Sequence, residues 1–271
     1  MAVGCDGPPK VSLTSAFRRP FAHRGLHDSC RPDDPDKAFE NTQAAFEAAI
    51  SVGFGIECDV RAAEGGMPVV FHDREIPAGL PFAGRPVASL SSEEIRRFSY
   101  SDGGPLLTFA DFLAAVGGRV PILAELKFDR EAGDPRFLAS VSKLSTSYSG
   151  ALALMSFEPQ PLAELMRLAS EVPRGLVAKR YDEDPTEVAR LGASEAQRRS
   201  VASELAAIGG SFVAYDLPGL ASLPPGALSL AEGDMLFAWT VRSSSDLELA
   251  RRLVDAPICE GEAARLLIST R

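Results

Sequence analysis

The sequence predicts a (β/α)8 barrel with a small insertion between its second and third barrel strands, and three observations carry that prediction. Eight short apolar runs recur along the 271 residues, near Phe21, Ile56, Ile122, Leu152, Leu176, Phe212, Phe237 and Ile258. Segments with helical spacing, rich in Ala, Leu and Glu, lie between several of them, at residues 42–52, 161–169, 194–208 and 245–254. Consecutive parallel strands need right-handed crossovers, and eight strand-helix units in a chain this long fit a closed barrel better than an open sheet. An open doubly wound sheet is the competing arrangement, but no run leads into a G-x-G-x-x-G turn, which weakens its dinucleotide-binding form.

The first run, Phe21-Ala22, ends in His23-Arg24-Gly25, and the second carries Gly55-Ile56-Glu57-Cys58-Asp59-Val60. Far more chain than one helix requires follows the second run. Its first part reads as an extended hairpin over residues 57–71, turning at Glu64-Gly65-Gly66. Two helix starts come next, because Ser91 precedes Glu94 and Thr108 precedes Asp111 by three residues, the spacing that satisfies unpaired amides at a helix N-terminus. The chain therefore reads as a single barrel domain, 1–271, with an insertion at about residues 74–118.

Hydrophobic residues make up 45% of the chain and charged ones 24%, an ordinary globular balance that supports a large core. The formal charge, 28 − 37 = −9, argues against a protein that coats nucleic acid or adheres to acidic membranes. Residues 1–20 lack the pattern of a signal peptide and no later segment is long enough for a membrane span, so the expected location is cytoplasmic. Cys5, Cys30, Cys58 and Cys259 show no C-x-x-C spacing and are expected to be free thiols.

The three histidines, His23, His27 and His72, all lie early, and His23 follows a strand at the end where barrels assemble their active sites. Glu57 and Asp59 are two apart on a strand and share a face. If that face is the barrel interior, two carboxylates there require a compensating cation, and a hard divalent ion with oxygen ligands is the simplest. Glu125 and Lys127 repeat the spacing on the third barrel strand. Plain structural roles compete with each assignment: a same-face ion pair for Glu125 and Lys127, core filling for the single tryptophan, Trp239, and helix capping for Asn41 in the Glu40-Asn41 pair.

The ordered series H-R-G, E-N, E-x-D-V, P-V-V-F-H-D and E-x-K resembles the glycerophosphodiester phosphodiesterase family, with weaker similarity at Ser156-Phe157 and Trp239-Thr240-Val241. The resemblance implies a (β/α)8 barrel that hydrolyses glycerophosphodiesters to glycerol 3-phosphate and an alcohol with a divalent metal ion, Mg or Ca. It implies two catalytic histidines, His23 and His72, and metal carboxylates Glu57, Asp59 and Glu125. Arg24 and Lys127 match the phosphate-facing cations, Trp239 the aromatic bordering the glycerol, and Glu40 and Asn41 the motif at the first helix. His27 matches no catalytic position. The implied partner is a small-molecule phosphodiester, with neither nucleic acid nor integral membrane association.

Two positions depart from the family pattern: Arg242 stands where Asn is common, and Cys259-Glu260-Gly261 replaces a Thr-Asp pair before a Pro. The loop at residues 28–39 is also long and acidic. All three are expected to touch the rim and to bear on the leaving alcohol more than on the reaction. Two other functions compete. One is a lysophospholipid-cleaving, phospholipase D-like enzyme whose apolar patch is built from Ile76, Leu80, Phe82 and Phe98; the other is a silent barrel that only binds a phosphorylated ligand.

Overall fold

A computed structural model describes residues 10–27, 39–102, 104–128, 134–180, 189 and 201–270. Eight parallel strands close on themselves: β1 (Phe21–Ala22), β2 (Gly55–Ala62), β4 (Ile122–Lys127), β5 (Leu152–Ser156), β6 (Arg174–Ala178), β7 (Phe212–Asp216), β8 (Met235–Val241) and β9 (Ala256–Cys259). β1 pairs with β9 on one side and with β2 on the other, which completes the barrel. Each apolar run predicted as a strand is one of these eight. β3 (Pro68–Val70) is the ninth strand and pairs antiparallel with β2, Val60 opposite Val70, as the far arm of the expected hairpin.

Alternation along the strands separates two layers. On β2 and β4, Ile56, Cys58, Val60, Ile122, Ala124 and Leu126 belong to the core between sheet and helices, while Leu123 belongs to the core inside the barrel. Glu57, Asp59 and Glu125 occupy the alternate positions and point the same way as Leu123. The interior is filled lower down by Phe21, Phe212 and Phe237, whose rings meet edge to face at 5.6 Å. Phe17, on the 3-10 turn Ser15–Phe17, stacks on Phe21 and covers that end.

The outer helices are α1 (Gln43–Ser51), α3 (Phe109–Val116), α4 (Pro135–Ser147), α5 (Pro159–Leu168), α6 (Val201–Ala207), α7 (Leu217–Ser222), α8 (Ser244–Leu253) and α9 (Gly261–Ser269). Of the helix expected at 194–208, residues 194–200 lie outside the described residues, as do residues 28–38 of the acidic loop. α1 is capped by the Thr42 hydroxyl, which accepts the Ala45 amide. Asn41 therefore does not cap it. Within the interval 74–118, residues from Ile76 to Leu106 pack into a separate apolar cluster around α2 (Ser92–Arg97), while Phe109, Phe112, Leu113 and Val116 join the main core. α2 opens with the reciprocal Ser91 and Glu94 capping bonds that the spacing predicts.

Arg174, the first residue of β6, is almost wholly buried. Its guanidinium donates to the carbonyls of Ile208 at 2.7 Å and Val172 at 3.1 Å, tying two inter-element turns together at the end of the barrel opposite the mouth. Arg174→Met would leave these carbonyls without those donors and is expected to cost about 2–4 kcal/mol in thermal or urea unfolding while leaving the chemistry at the mouth unchanged. An unaltered unfolding midpoint would show that the guanidinium is dispensable.

Candidate active site

The H-R-G segment is shaped by the backbone. His23 leaves β1 with its amide bonded to the Cys259 carbonyl, and Arg24 and Gly25 then turn through left-handed conformations at φ 55° and 83°. A Cβ on Gly25 would stand 2.8 Å from the Ala45 side chain, so glycine is required where the turn meets α1. The turn aims the Arg24 amide at Glu57 Oε2, 2.9 Å away, and its guanidinium at Glu40, 2.8 and 3.0 Å away.

Glu57, Asp59 and Glu125 are 2%, 1% and 7% exposed, and each offers an oxygen within 4.8 Å of the others. Asp59 is held from three directions: Lys127 Nζ lies 3.1 Å from Oδ1, and Oδ2 has Asn41 Nδ2 at 2.9 Å and Arg24 Nε at 3.2 Å. Lys127 also reaches Glu125 at 2.6 Å. The two strand pairs are therefore one cluster, and Asn41, with φ 57°, bonds across to it. Burial raises the Asp59 carboxyl, but Lys127 and Arg24 outweigh it and hold it well below the carboxylate range. Glu57 goes the other way, pushed well up by burial and by the charges of Asp59 and Glu125. The three buried carboxylates outnumber the two basic side chains beside them, and their donors are all oxygen. This set fits a hard divalent ion.

The histidines sit on either side of the cluster. His23 Nδ1 is 2.6 Å from Glu260 Oε2, and Arg242 Nε donates to Glu260 Oε1 at 2.7 Å. The two positions that depart from the family pattern thus meet each other, because the register of β8 and β9 sets Val241 beside Cys259 and brings the following residues together. Glu260 does not merely touch the rim: it holds a histidine. Burial raises the Glu260 carboxyl, but its bonds to His23 and His27 outweigh burial and hold it well below the usual range. Across the mouth, His72 follows β3; Arg61 donates to its carbonyl at 3.1 and 2.8 Å, and Asp73 Oδ1 lies 2.8 Å from its Nδ1.

His23, Arg24, Glu57, His72, Glu125, Lys127 and Trp239 line one cavity of about 160 Å³ at the C-terminal ends of the strands. Trp239 donates from Nε1 to the Ala214 carbonyl and meets the Phe157 ring edge to face at 5.5 Å, so its indole is fixed as a wall. Glu40, Asn41 and His27 instead border a neighbouring cavity of about 530 Å³, and His72 borders both.

Residues 23–259 match the model of the glycerophosphoryl diester phosphodiesterase family. The chain belongs to that family. Its members are phosphoric diester hydrolases, and the relatives agree. The phosphodiesterase is 25% identical over 257 residues to the Mycobacterium tuberculosis protein named Probable glycerophosphodiester phosphodiesterase 1, covering 86% of this chain and 85% of that one. It is 33% identical over 112 residues to Probable glycerophosphodiester phosphodiesterase 2 of the same organism, a match spanning 41% of this chain and 39% of that relative. Among solved structures, an Oleispira antarctica phosphodiesterase in complex with the product sn-glycerol-3-phosphate superposes with a TM-score of 0.71 at 17% identity, covering 93% of this chain and 97% of that one. That likeness establishes the fold, a (β/α)8 barrel.

The opposite electrostatics of Glu57 and Asp59 in this phosphodiesterase lead to opposite stability effects. The Glu57 carboxyl is raised in the fold, so as pH climbs above the unfolded value the unfolded chain releases a proton that the folded one keeps, and stability falls. Glu57→Gln is therefore expected to raise the unfolding temperature of metal-free protein, by more at about pH 8 than at about pH 5. Asp59 is lowered, its contribution is present above the unfolded value, and it is lost only as pH falls through the folded one. Asp59→Asn should therefore lower the unfolding temperature at both pH values. Equal shifts of one sign for the two variants would contradict this division.

Proposed function

We propose that the protein hydrolyses glycerophosphodiesters to glycerol 3-phosphate and an alcohol, with His23 and His72 as the proton-transfer groups. The observation that carries the reading is one small cavity lined by two histidines, the three cations Arg24, Lys127 and Arg242, and Glu57 and Glu125 of the acidic cluster. A phosphodiester is already anionic, so its displacement needs charge neutralisation, an activated nucleophile and a protonated leaving oxygen. Arg24 and Lys127 face the phosphoryl oxygens. Glu57, Asp59 and Glu125 would hold a divalent ion, Mg or Ca, which when bound adds Lewis-acid stabilisation of the phosphoryl charge.

In this mechanism the 2-hydroxyl of the substrate's glycerol attacks phosphorus and gives its proton to His23. The bond to the leaving oxygen breaks, and that oxygen takes a proton from His72. Water then opens the cyclic phosphate with the histidine roles reversed. Glu260, fixed by Arg242, accepts the Nδ1 proton of His23 and so leaves Nε2 as the lone-pair face that takes the hydroxyl proton, while Asp73 accepts from Nδ1 of His72, whose Nε2 in this step carries the proton given to the leaving oxygen. Glu260 is thus a positioning residue. Trp239 borders the glycerol, and Glu40 and Asn41 orient Arg24 and Asp59. The buried free thiols Cys58 and Cys259 support a reducing, cytoplasmic setting. Among the described residues no helix is long and apolar enough to cross a membrane.

Of the apolar patch that the lysophospholipid alternative places beside the mouth, Ile76 and Phe98 are buried in the inserted segment's own core, Phe82 packs against that core, and Leu80 lines the larger cavity. Glycerol 3-phosphate release from glycerophosphodiesters tests the proposal. Chelation with EDTA should abolish it and added Mg or Ca restore it; persistence in EDTA would remove the metal from the mechanism. His23→Ala and His72→Ala should each lose roughly 10²–10⁴-fold in kcat, with His27→Ala within a few-fold. Glu260→Gln should lose at least about tenfold in kcat and shift the pH-rate profile while KM stays close to the parent's. A Glu260→Gln variant with unchanged kcat would leave the contact to His23 merely structural.

A further inference from the structure

Among the described residues, His23, His27 and Glu260 form a second group whose donor atoms all lie within 4.8 Å of one another. Its chemistry differs from that of the acidic cluster, because two imidazole nitrogens join one carboxylate oxygen. Glu260 Oε2 is the meeting point: His23 Nδ1 lies 2.6 Å and His27 Nε2 3.7 Å from it, while Arg242 holds Oε1. Donors bonded at about 2 Å in a tetrahedron stand about 3.3 Å apart, so an ion needs only small side-chain rotations to enter between the rings and the carboxylate. His23, His27 and Glu260 are 14%, 12% and 13% exposed, and His23 borders the smaller cavity while His27 borders the larger one, so the group is reachable from the mouth. Arg242 opposes a cation beside Glu260, which keeps such binding reversible.

We propose that His23, His27 and Glu260 bind zinc, and that the bound ion switches hydrolysis off by taking His23 Nδ1. The binding stands on this geometry alone, whereas the inhibition rests on the phosphodiesterase reading above. Imidazole suits zinc, and all-oxygen donors suit Mg and Ca, so the two groups sort ions by ligand type. Zinc occupies Nδ1 in place of the proton otherwise shared with Glu260. The neutral ring then carries its proton on Nε2 and has no lone pair left there to take the proton of the glycerol hydroxyl. His27 takes no part in the reaction, so its loss removes a zinc ligand without removing a catalytic group.

The test keeps Mg in large excess throughout, so that the acidic cluster is occupied. Calorimetry with zinc chloride should show one saturable site, weakened about tenfold or more in His27→Ala and in His27→Gln, the second of which keeps a side-chain donor for Glu260. The chain holds three histidines, so their ring signals are readily separated by NMR; zinc should shift those of His23 and His27 far more than those of His72. In turnover of a glycerophosphodiester, zinc should inhibit the parent and, at the same concentration, spare both His27 variants, whose zinc-free rates stay within a few-fold of the parent's. Zinc affinity unchanged in both variants, or ring shifts centred on His72, would overturn the site. Inhibition as strong in the variants as in the parent would assign the effect of zinc to displacement of Mg from the acidic cluster and overturn the switch. If no diester is hydrolysed even without zinc, the phosphodiesterase reading fails, and the calorimetry and ring shifts still decide the site.

Discussion

Burying three carboxylates beside one another is the constraint around which the mouth of this barrel is organised. Glu57, Asp59 and Glu125 come from two adjacent strands whose opposite faces are packed with aliphatic side chains, so the cluster cannot turn to water without disrupting the core. Each charge must be compensated locally. Lys127 bridges Asp59 and Glu125, Arg24 approaches Asp59 and lends its amide to Glu57, and Asn41 supplies a neutral donor. The carboxylates outnumber these cations, and the excess is met by Glu57, whose carboxyl burial and its acidic neighbours push well up.

The same need explains backbone that local preference alone would not select. The left-handed conformation at Arg24 costs of order 1 kcal/mol or more, whereas Asn41 is one of the few residue types that enter that region readily. Both conformations aim donors at the acidic pair. Gly25 follows because the turn out of β1 then runs against Ala45 of α1 with no room for a Cβ. H-R-G and E-N are, at the level of forces, a loop and a helix start bent to bring hydrogen-bond donors to Glu57 and Asp59.

These relations decide what was legible in the sequence. The strands were, because period-two alternation and apolar runs report directly on two-layer burial, and Glu57 and Asp59 declared themselves as charges on an otherwise apolar strand. The hairpin and the Ser91 cap were legible for equally local reasons. Asn41 was ambiguous, since capping and cross-strand bonding call for the same amide, and only the cap supplied by Thr42 separates them. The role of Glu260 was not legible. It and Arg242 appeared as two unrelated departures 18 positions apart, and their meaning depends on β8 and β9 being neighbours in register. One signal was available: opposite charges placed just past the ends of consecutive barrel strands are candidates for a contact at the mouth.

Compensation at the cluster also bears on the space beside it. Arg24 is committed to Asp59 and Glu40, Lys127 to Asp59 and Glu125, and Arg242 to Glu260, so each of these cations at the mouth is held by carboxylates. The flank formed by the inserted segment and the start of α1 carries Glu40, paired with Arg24, and Asp73, bonded to His72, among aromatic side chains. Arg24 thus spans both sides of the mouth, its Nε toward Asp59 in the buried cluster and its terminal nitrogen toward Glu40 at the flank. Attraction between partly buried groups exceeds that in bulk water several-fold, so this shared guanidinium ties the geometry of the flank to that of the cluster.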